Sequence, residues 1–316
     1  MKRYLIKLTP MRPFFFGGEV TFGKKGDKEN SSYLVKSQQF PQQTTILGAL
    51  RKEMLIQAGL LTKKVNGEWI DKHNKEKAIK LVGESKFKFN QEQSFGELKS
   101  IEPIFLIKEE KKYIKKYNPK NLVYKDGILQ GYNPKVDIYD GFVSTDNKEC
   151  LTSSDIFKEV EKIGIKKGGG DDAFFKQSSY LFENGFAFGC FIESSFELKD
   201  SFIKLGADNS IFKMEVKESE DRLEYQDPNG YLVLLSDSYI DKDIGNLCDF
   251  AITSEINFKY LDNEFKDGGK FKFKKSRSYN FYEKGSIFVN PKDELIEVLN
   301  NKHLQKVGYN HFAYKN

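Results

Sequence analysis

Tryptophan occurs once, cysteine three times, histidine three times and proline eight times in 316 residues. Each scarcity closes a class of explanation. Cys150, Cys190 and Cys248 lie far apart and form no C-x-x-C pair, which argues against both a disulfide framework and a zinc ribbon. His73, His303 and His311 are few for acid–base chemistry, and His73 sits in a lysine-rich polar stretch that reads as solvated surface. No G-x-x-x-x-G-K-S/T, H-E-x-x-H or G-x-S-x-G is present. No apolar run of about 18 residues occurs, and Met1–Leu8 is too short and charged for a signal peptide. The expectation is a soluble, cytoplasmic chain with no membrane contact, no metal and no cofactor. A strong charge bias is missing too. Lys+Arg total 51 against Asp+Glu 46, a net +5, far from the excess of a histone-like tail.

Aromatics are plentiful, with 28 Phe and 16 Tyr among 39% hydrophobic residues. That composition excludes disorder as the main state and favours strands, because aromatic rings suit pleated surfaces. Tyr4–Leu8 alternates as a strand, and Pro10 and Pro13 end it. Phe14–Phe16 and the Gly17–Gly18 pair follow, then a polar loop from Lys24 to Ser32. The clearest local signal is FPQQTTILGALRKEML, Phe40 to Leu55. Pro41 stops the preceding segment, Thr44 or Thr45 caps a helix, and Ile46, Leu47, Leu50 and Met54 share one face. Thr44, Gly48 and Arg51 form another stripe, so amides, threonines and an arginine gather near a helix start, where anions are attracted.

Residues 62–94 read as a lysine-rich insertion around Trp69. Strand-like pieces follow at Ile101–Ile107 and Lys112–Tyr117, and Thr152–Asp155 leads into a short helical segment, Ile156–Lys162. Residues 163–177 read as a hairpin with a charged, glycine-rich tip. Further strands are expected at Gly185–Glu193, Tyr231–Leu235, Ile252–Tyr260 and Gly285–Val289. The pattern is α+β with antiparallel sheets, and a composition shift divides it into residues 1–150 and 151–316.

Three constellations bear on function. His303 and His311 flank Lys306 and Tyr309, a set able to deprotonate a 2′-hydroxyl in a metal-independent endoribonuclease, but no established catalytic scaffold is recognisable around them. Gly168–Asp172 (GGDD) is similar to the Mg²⁺-binding turn of polymerases and cyclases. Lys166 and Lys167 precede it where an apolar strand should, so a hairpin tip is the better reading for Asp171 and Asp172. Basic and aromatic residues interleave at Phe22–Lys25, Lys166–Lys176 and Lys270–Arg277. Such mixtures suit single-stranded RNA, whose phosphates pair with lysines and whose bases stack on rings. For residues 270–275 an ordinary strand with Phe facing inward accounts for the pattern.

FFFGGEVTFG (Phe14–Gly23) followed by FPQQTTILGALRKEML resembles the start of the third Cmr subunit of type III-B CRISPR effectors, a RAMP protein of the group that caps the 5′ end of the guide RNA. Looser matches follow in order: Ile163–Gln177, LGADNSIFKMEV (Leu205–Val216), KGSIFV (Lys284–Val289) and VGYN (Val307–Asn310). The resemblance implies two ferredoxin-like (RRM-like) halves with a helical insertion and a protruding β-hairpin, and no nuclease activity. It implies a subunit that holds the repeat-derived 5′ handle of crRNA, meets target RNA near the guide's 5′ end, and links the large polymerase/cyclase subunit to the backbone RAMP subunits. Gln42, Gln43, Thr44, Thr45, Gly48 and Arg51 would hold the handle, supplemented by Lys24 and Lys25. Lys166, Lys167, Phe174, Phe175, Lys176 and Gln177 would form the hairpin wedge. Many RAMP proteins end in a loop of several glycines against RNA. Only Gly308 stands here, so RNA contact is not carried onto that loop.

Overall fold

The computed structural model describes residues 1–17, 20–21, 33–61, 64–65, 68–69, 72–83, 87–118, 123–130, 141–165, 174–183, 185–207, 210–267 and 270–315. Its centre is a nine-stranded sheet, antiparallel throughout. In spatial order the strands are Cys150–Thr152, Gly141–Ser144, Lys111–Lys116, Phe105–Lys108, Phe186–Ser194, Lys2–Pro10, Ile211–Glu218 and Ser201–Lys204. Leu98–Ile101 also pairs with Phe186–Ser194. The period-2 pattern of the first strand works as read: Tyr4, Ile6 and Leu8 are buried, whereas Leu5 and Lys7 between them are only half-buried. Strands from both sides of residue 150 alternate in this sheet, so the composition shift there does not coincide with a gap in the ladder.

Helix α1 (Gln43–Gln57) covers one face of the sheet, and Ile46, Leu47, Leu50 and Met54 are buried on it, as the periodicity expects. Helix α2 (Lys72–Val82) lies beside α1 and closes the edge of the same core. The aromatic run after the first strand also turns inward. Phe14 is fully buried and meets Phe16, Phe182, Phe188 and Phe212 with ring centroids 4.9–5.8 Å apart. Pairs of this kind add about 0.5–1.5 kcal/mol each beyond their buried area.

A second layer is the small sheet Phe250–Ile252, Ile287–Val289, Leu232–Leu234 and Phe312–Ala313. It packs on the large sheet through Val233, Ile287 and Val289 against Ile114, Tyr117 and Val143. Buried ion pairs fix this junction. Lys115 reaches Glu283 at 2.8 Å, the Tyr117 hydroxyl donates to Glu283, and Lys116 pairs with the fully buried Asp227. Removing one partner from such a pair costs about 3–5 kcal/mol, because the other charge is left buried alone.

One expected element is overturned. Thr152–Asp155 does form a capping box, but the helix it opens is a single 3-10 turn, Ser153–Asp155. Phe157–Ile165 is a strand, antiparallel to Phe174–Phe182, and this hairpin contains the arms expected at 163–177. Phe174–Phe182 in turn pairs in parallel with Tyr33–Lys36. Gly168–Asp172, expected as a hairpin tip, lies outside the described residues. No helix among the described residues is long and apolar enough to cross a membrane.

Candidate nucleic-acid interface

Helix α1 begins two residues earlier than a Thr44 cap would set it. Gln42 is the N-cap residue and supplies no side-chain cap, and Thr44 and Thr45 lie in the first turn. The cap comes from the far end of the chain. The Tyr309 hydroxyl accepts the Thr44 N–H at 3.3 Å and lies 3.5 Å from Thr44 Oγ1. Tyr309 is 1% exposed, and burial pushes its ionisation well above the usual phenol range, so the cap stays neutral. Gly308 makes this possible. Its φ is +90°, and a Cβ there would come within 2.6 Å of Gln43 Nε2.

The implied handle residues therefore separate into two sets. Gln43 is 2% exposed and donates through Nε2 to the carbonyl of Gly308 at 3.0 Å, so it points into the protein. Arg51 donates to the Gly83 carbonyl at 3.3 Å and lies 5.9 Å from the Phe95 ring centroid. Burial lowers its pKa, and its guanidinium serves to tie α1 to the end of α2 rather than to present a surface cation. Gln42, Thr44 and Thr45 remain half-exposed and Gly48 is exposed. An added Cβ at Gly48 would meet nothing within 4 Å. Lys52, four residues on and also exposed, shares this stripe with Thr45 and Gly48. The sequence reading missed Lys52, although its i+4 spacing from Gly48 was a visible signal.

The hairpin residues divide similarly. Lys176 is ion-paired with Glu161 across the hairpin at 2.6 Å, and Gln177 beside it turns inward at 9% exposure. Phe174 and Phe175 open the second arm, opposite Ile165 and Gly164. Lys24, Lys25, Lys166 and Lys167 lie outside the described residues. The hairpin Leu261–Asp267/Lys270–Lys275 accommodates the Lys–Phe alternation read there as a strand.

Where the start of α1 meets the hairpin base, the surface opens into a cleft of about 340 Å³. Residues 36–42 supply one wall, through Lys36, Gln38, Gln39, Phe40 and Gln42. Tyr180 comes from the inner hairpin arm, and Ile256, Phe258 and Phe281 come from the two-stranded sheet Glu255–Phe258/Tyr279–Tyr282. Tyr309 stands directly behind, 5.3 and 5.4 Å from the Phe258 and Phe281 rings. The same tyrosine that caps α1 thus supports the cleft.

Charged groups complete the lining. Lys284 is 6% exposed, with Nζ 4.4 Å from the Phe40 centroid and 3.9 Å from Asp237 Oδ2. Burial lowers its pKa against the opposing pull of Asp237 and Glu283. Burial would raise Glu283, but Lys115 and the Tyr117 hydroxyl outweigh it and hold the carboxyl below its usual range. Lys36, at the mouth, lies 3.3 Å from Glu159. These lysines escaped the sequence reading because only the fold brings residue 284 to residue 40.

The His/Tyr/Lys constellation does not assemble into a site. His303 is exposed on the short helix Lys302–Gln305, whereas His311 bonds through Nε2 to the Gln305 carbonyl at 2.9 Å and burial lowers its pKa. Lys306 donates to the Gln93 carbonyl at 2.7 Å. Among the described residues no group of three or more His, Cys, Asp or Glu could hold a metal ion.

Residues 6–126 match the family model described as CRISPR-associated protein (Cas_Cmr3). The fold is similar to a chain of the Type III-B Cmr-beta complex bound to cognate target RNA. The TM-score is 0.57 and the identity 15%, over 98% of this chain and 96% of that one. The same complex bound to cognate target RNA and AMPPnP gives a TM-score of 0.55 at 16% identity, with the same coverage. No match to a curated protein is found. The family match over residues 6–126 and the shared fold bear out the resemblance to the third Cmr subunit, and the sheets bear out the α+β class.

Proposed function

We propose that this chain, a type III-B CRISPR effector subunit by its family match and fold, is the non-catalytic subunit that holds the repeat-derived 5′ handle of crRNA. In the same reading it links the large polymerase/cyclase subunit to the backbone RAMP subunits and meets target RNA near the guide's 5′ end. One observation carries the RNA assignment. The stripe of half-exposed Thr45 and exposed Gly48 and Lys52 runs down α1 from Gln42, and Gln42 also lines the cleft, so a backbone track and a recess adjoin. Hydroxyls, a glycine that admits close approach and a lysine suit a phosphodiester chain, which is positioned by backbone contacts and read by base contacts.

The non-catalytic reading is supported by the internal commitments of Tyr309, Lys306 and His311. Incubating the chain with a repeat-containing transcript in EDTA tests it: intact RNA is expected, and cleavage at one defined position would overturn it. RNA holding is tested by titrating a repeat-derived single strand into wild type and Lys52→Glu. The variant should bind about fivefold or more weakly, and the slope of log affinity against log salt should fall by about 0.7 for one lost phosphate contact. Identical curves for the two proteins would remove α1 from the interface.

A further inference from the structure

The nine-stranded sheet ends on one side at Ser201–Lys204, and among the described residues no strand pairs with its far side. The neighbouring strand Ile211–Glu218 fixes which groups face outward. Leu205 donates to the Ser210 carbonyl at 3.0 Å, and hydrogen-bonded pairs alternate along an antiparallel ladder. Ile203 therefore exchanges bonds with Phe212, whereas Phe202, opposite Lys213, turns its N–H and C=O to the open margin. The Ile211 carbonyl agrees with this phase, since it looks the other way and accepts the Met11 N–H at 2.9 Å.

Side chains leave the same margin unfinished. Phe202 is 65% exposed on the face opposite α1, a face it shares with Lys204 and Lys213. Met11, 56% exposed, adjoins that face through Ile211. On the other face Ile203 enters the core, while Ser201 Oγ is buried with no hydrogen-bond partner among the described residues. Buried hydroxyls are as a rule hydrogen-bonded. The end of α1 is held here by Gln57, whose amide bonds the N–H and the carbonyl of Lys199 at 3.0 and 2.9 Å. Ile56 stands about 140° round the helix from Arg51, which faces α2, so it flanks this margin. It is 46% exposed. A free main chain between an exposed ring on one face and an exposed isoleucine on the other matches an extended peptide, which offers side chains alternately to both.

We infer that Ser201–Lys204 takes up an extended segment of a partner protein as an added strand, apolar where it lies on Phe202 and acidic two residues away, beside Lys204. Such a strand is one means of the proposed linking role and rests on that role rather than on RNA holding. A polyanion suits the margin less well, since Glu215 already pairs with Lys213 at 3.0 Å and Asp200 stands at the start of the strand. A second copy of the chain offers only the same four residues, too few for the roughly 1,200 Å² that a stable interface buries.

Hydrogen exchange, read residue by residue, compares the full chain alone with the chain assembled with the large subunit and the backbone RAMP subunits. The Phe202 amide should exchange freely in the chain alone and slow about a hundredfold when partner stands at about a hundred times its Kd. Phe202→Thr keeps the N–H and loses the ring. Phe202→Pro loses both, and proline is tolerated where an edge N–H faces outward. Phe202→Pro should bind partner at least about tenfold more weakly than Phe202→Thr, because it leaves an acceptor of the added strand unpaired. Equal affinities for the two variants would overturn strand addition. An assembly that forms with the Phe202 amide still exchanging freely also overturns it, and leaves the linking role standing. Protection that grows with concentration in the chain alone, or on adding single-stranded RNA alone, gives the margin to a second copy or to RNA and refutes a protein partner there. If no assembly forms, the linking role fails first, and the peptide Glu-Val-Val-Val-Glu decides the margin by itself. Binding that Phe202→Pro abolishes supports a docking edge for another protein, and no binding at millimolar peptide rules it out. The wild-type exchange comparison stands even if Phe202→Pro does not fold.

Discussion

Replacing Gly48 by alanine separates what the fold wants from what a partner wants. Glycine in a helix interior costs about 1 kcal/mol relative to alanine, because its backbone loses more freedom on folding. At Gly48 the chain itself gives no compensation: the residue is exposed and an added Cβ would touch nothing within 4 Å. Gly48→Ala should therefore stabilise the isolated protein by about 1 kcal/mol. For 316 residues the unfolding entropy is about 0.7 kcal/mol/K, so the melting temperature should rise by about 1.5 °C. RNA binding should move the other way. A methyl group standing off a phosphodiester backbone from the helix should weaken affinity about tenfold, or about 1.4 kcal/mol. Differential scanning calorimetry and a filter-binding titration on the same preparation read both quantities. Increased stability with unchanged affinity would refute RNA contact at this position. Decreased stability would refute the open space that the argument starts from.

Tyr309→Phe removes the hydroxyl that accepts the Thr44 N–H and should lower stability by about 1–2 kcal/mol in urea denaturation; an unchanged midpoint would mean the cap is made by another group. Arg51→Glu should destabilise the fold by about 3 kcal/mol, since it sets a carboxylate against the Gly83 carbonyl in a largely buried position. Arg51→Met keeps the aliphatic stem against Phe95, so RNA affinity per folded molecule should stay within about twofold; a large affinity loss would restore Arg51 to the interface. His311, with its pKa lowered in the folded state, binds its proton more readily when unfolded. Its contribution is fully present above about pH 6.5 and is lost as pH falls through the folded value, with a slope of at most about 1.4 kcal/mol per pH unit. Urea midpoints between pH 7.5 and 5 should fall for wild type and flatten for His311→Gln; parallel curves would show that His311 is not the titrating group.

The parts of this molecule legible in the sequence are those with local causes. Alternation in Tyr4–Leu8 and the 3.6-residue period in α1 gave both elements and their buried faces, because burial imposes period directly on the chain. Ile156–Lys162 failed for a related reason. Its capping box is real and caps one turn, but Phe157–Ile165 gains more by pairing along its whole length with Phe174–Phe182 than by continuing a helix. Arg51 shares a helical stripe with Thr44 and Gly48 in the sequence, yet its guanidinium meets the Gly83 carbonyl through a packing of α1 against α2 that no local pattern encodes. The cleft was invisible altogether, since its walls come from residues around 40, 180, 256 and 284.

The neutral cap on α1 bears on how the subunit meets an anion. An acidic residue at a helix start satisfies free amides and cancels the positive end of the macrodipole at once. This chain separates the two functions. Its first turn holds no acid, and the Tyr309 hydroxyl, kept protonated by burial, satisfies an amide without adding charge. The carboxylates nearest the cleft, Asp237 and Glu283, face Lys284 and Lys115 rather than standing alone. The fold is thus complete without RNA, because no buried amide of Thr44 waits for a phosphate. The partial positive charge at the start of α1 is nonetheless left uncancelled, beside Gln42 and upstream of Lys52. For the proposed RNA-holding role a net charge of only +5 would suffice, since attraction to a phosphodiester backbone needs a local field along one helix rather than a basic coat over the whole surface.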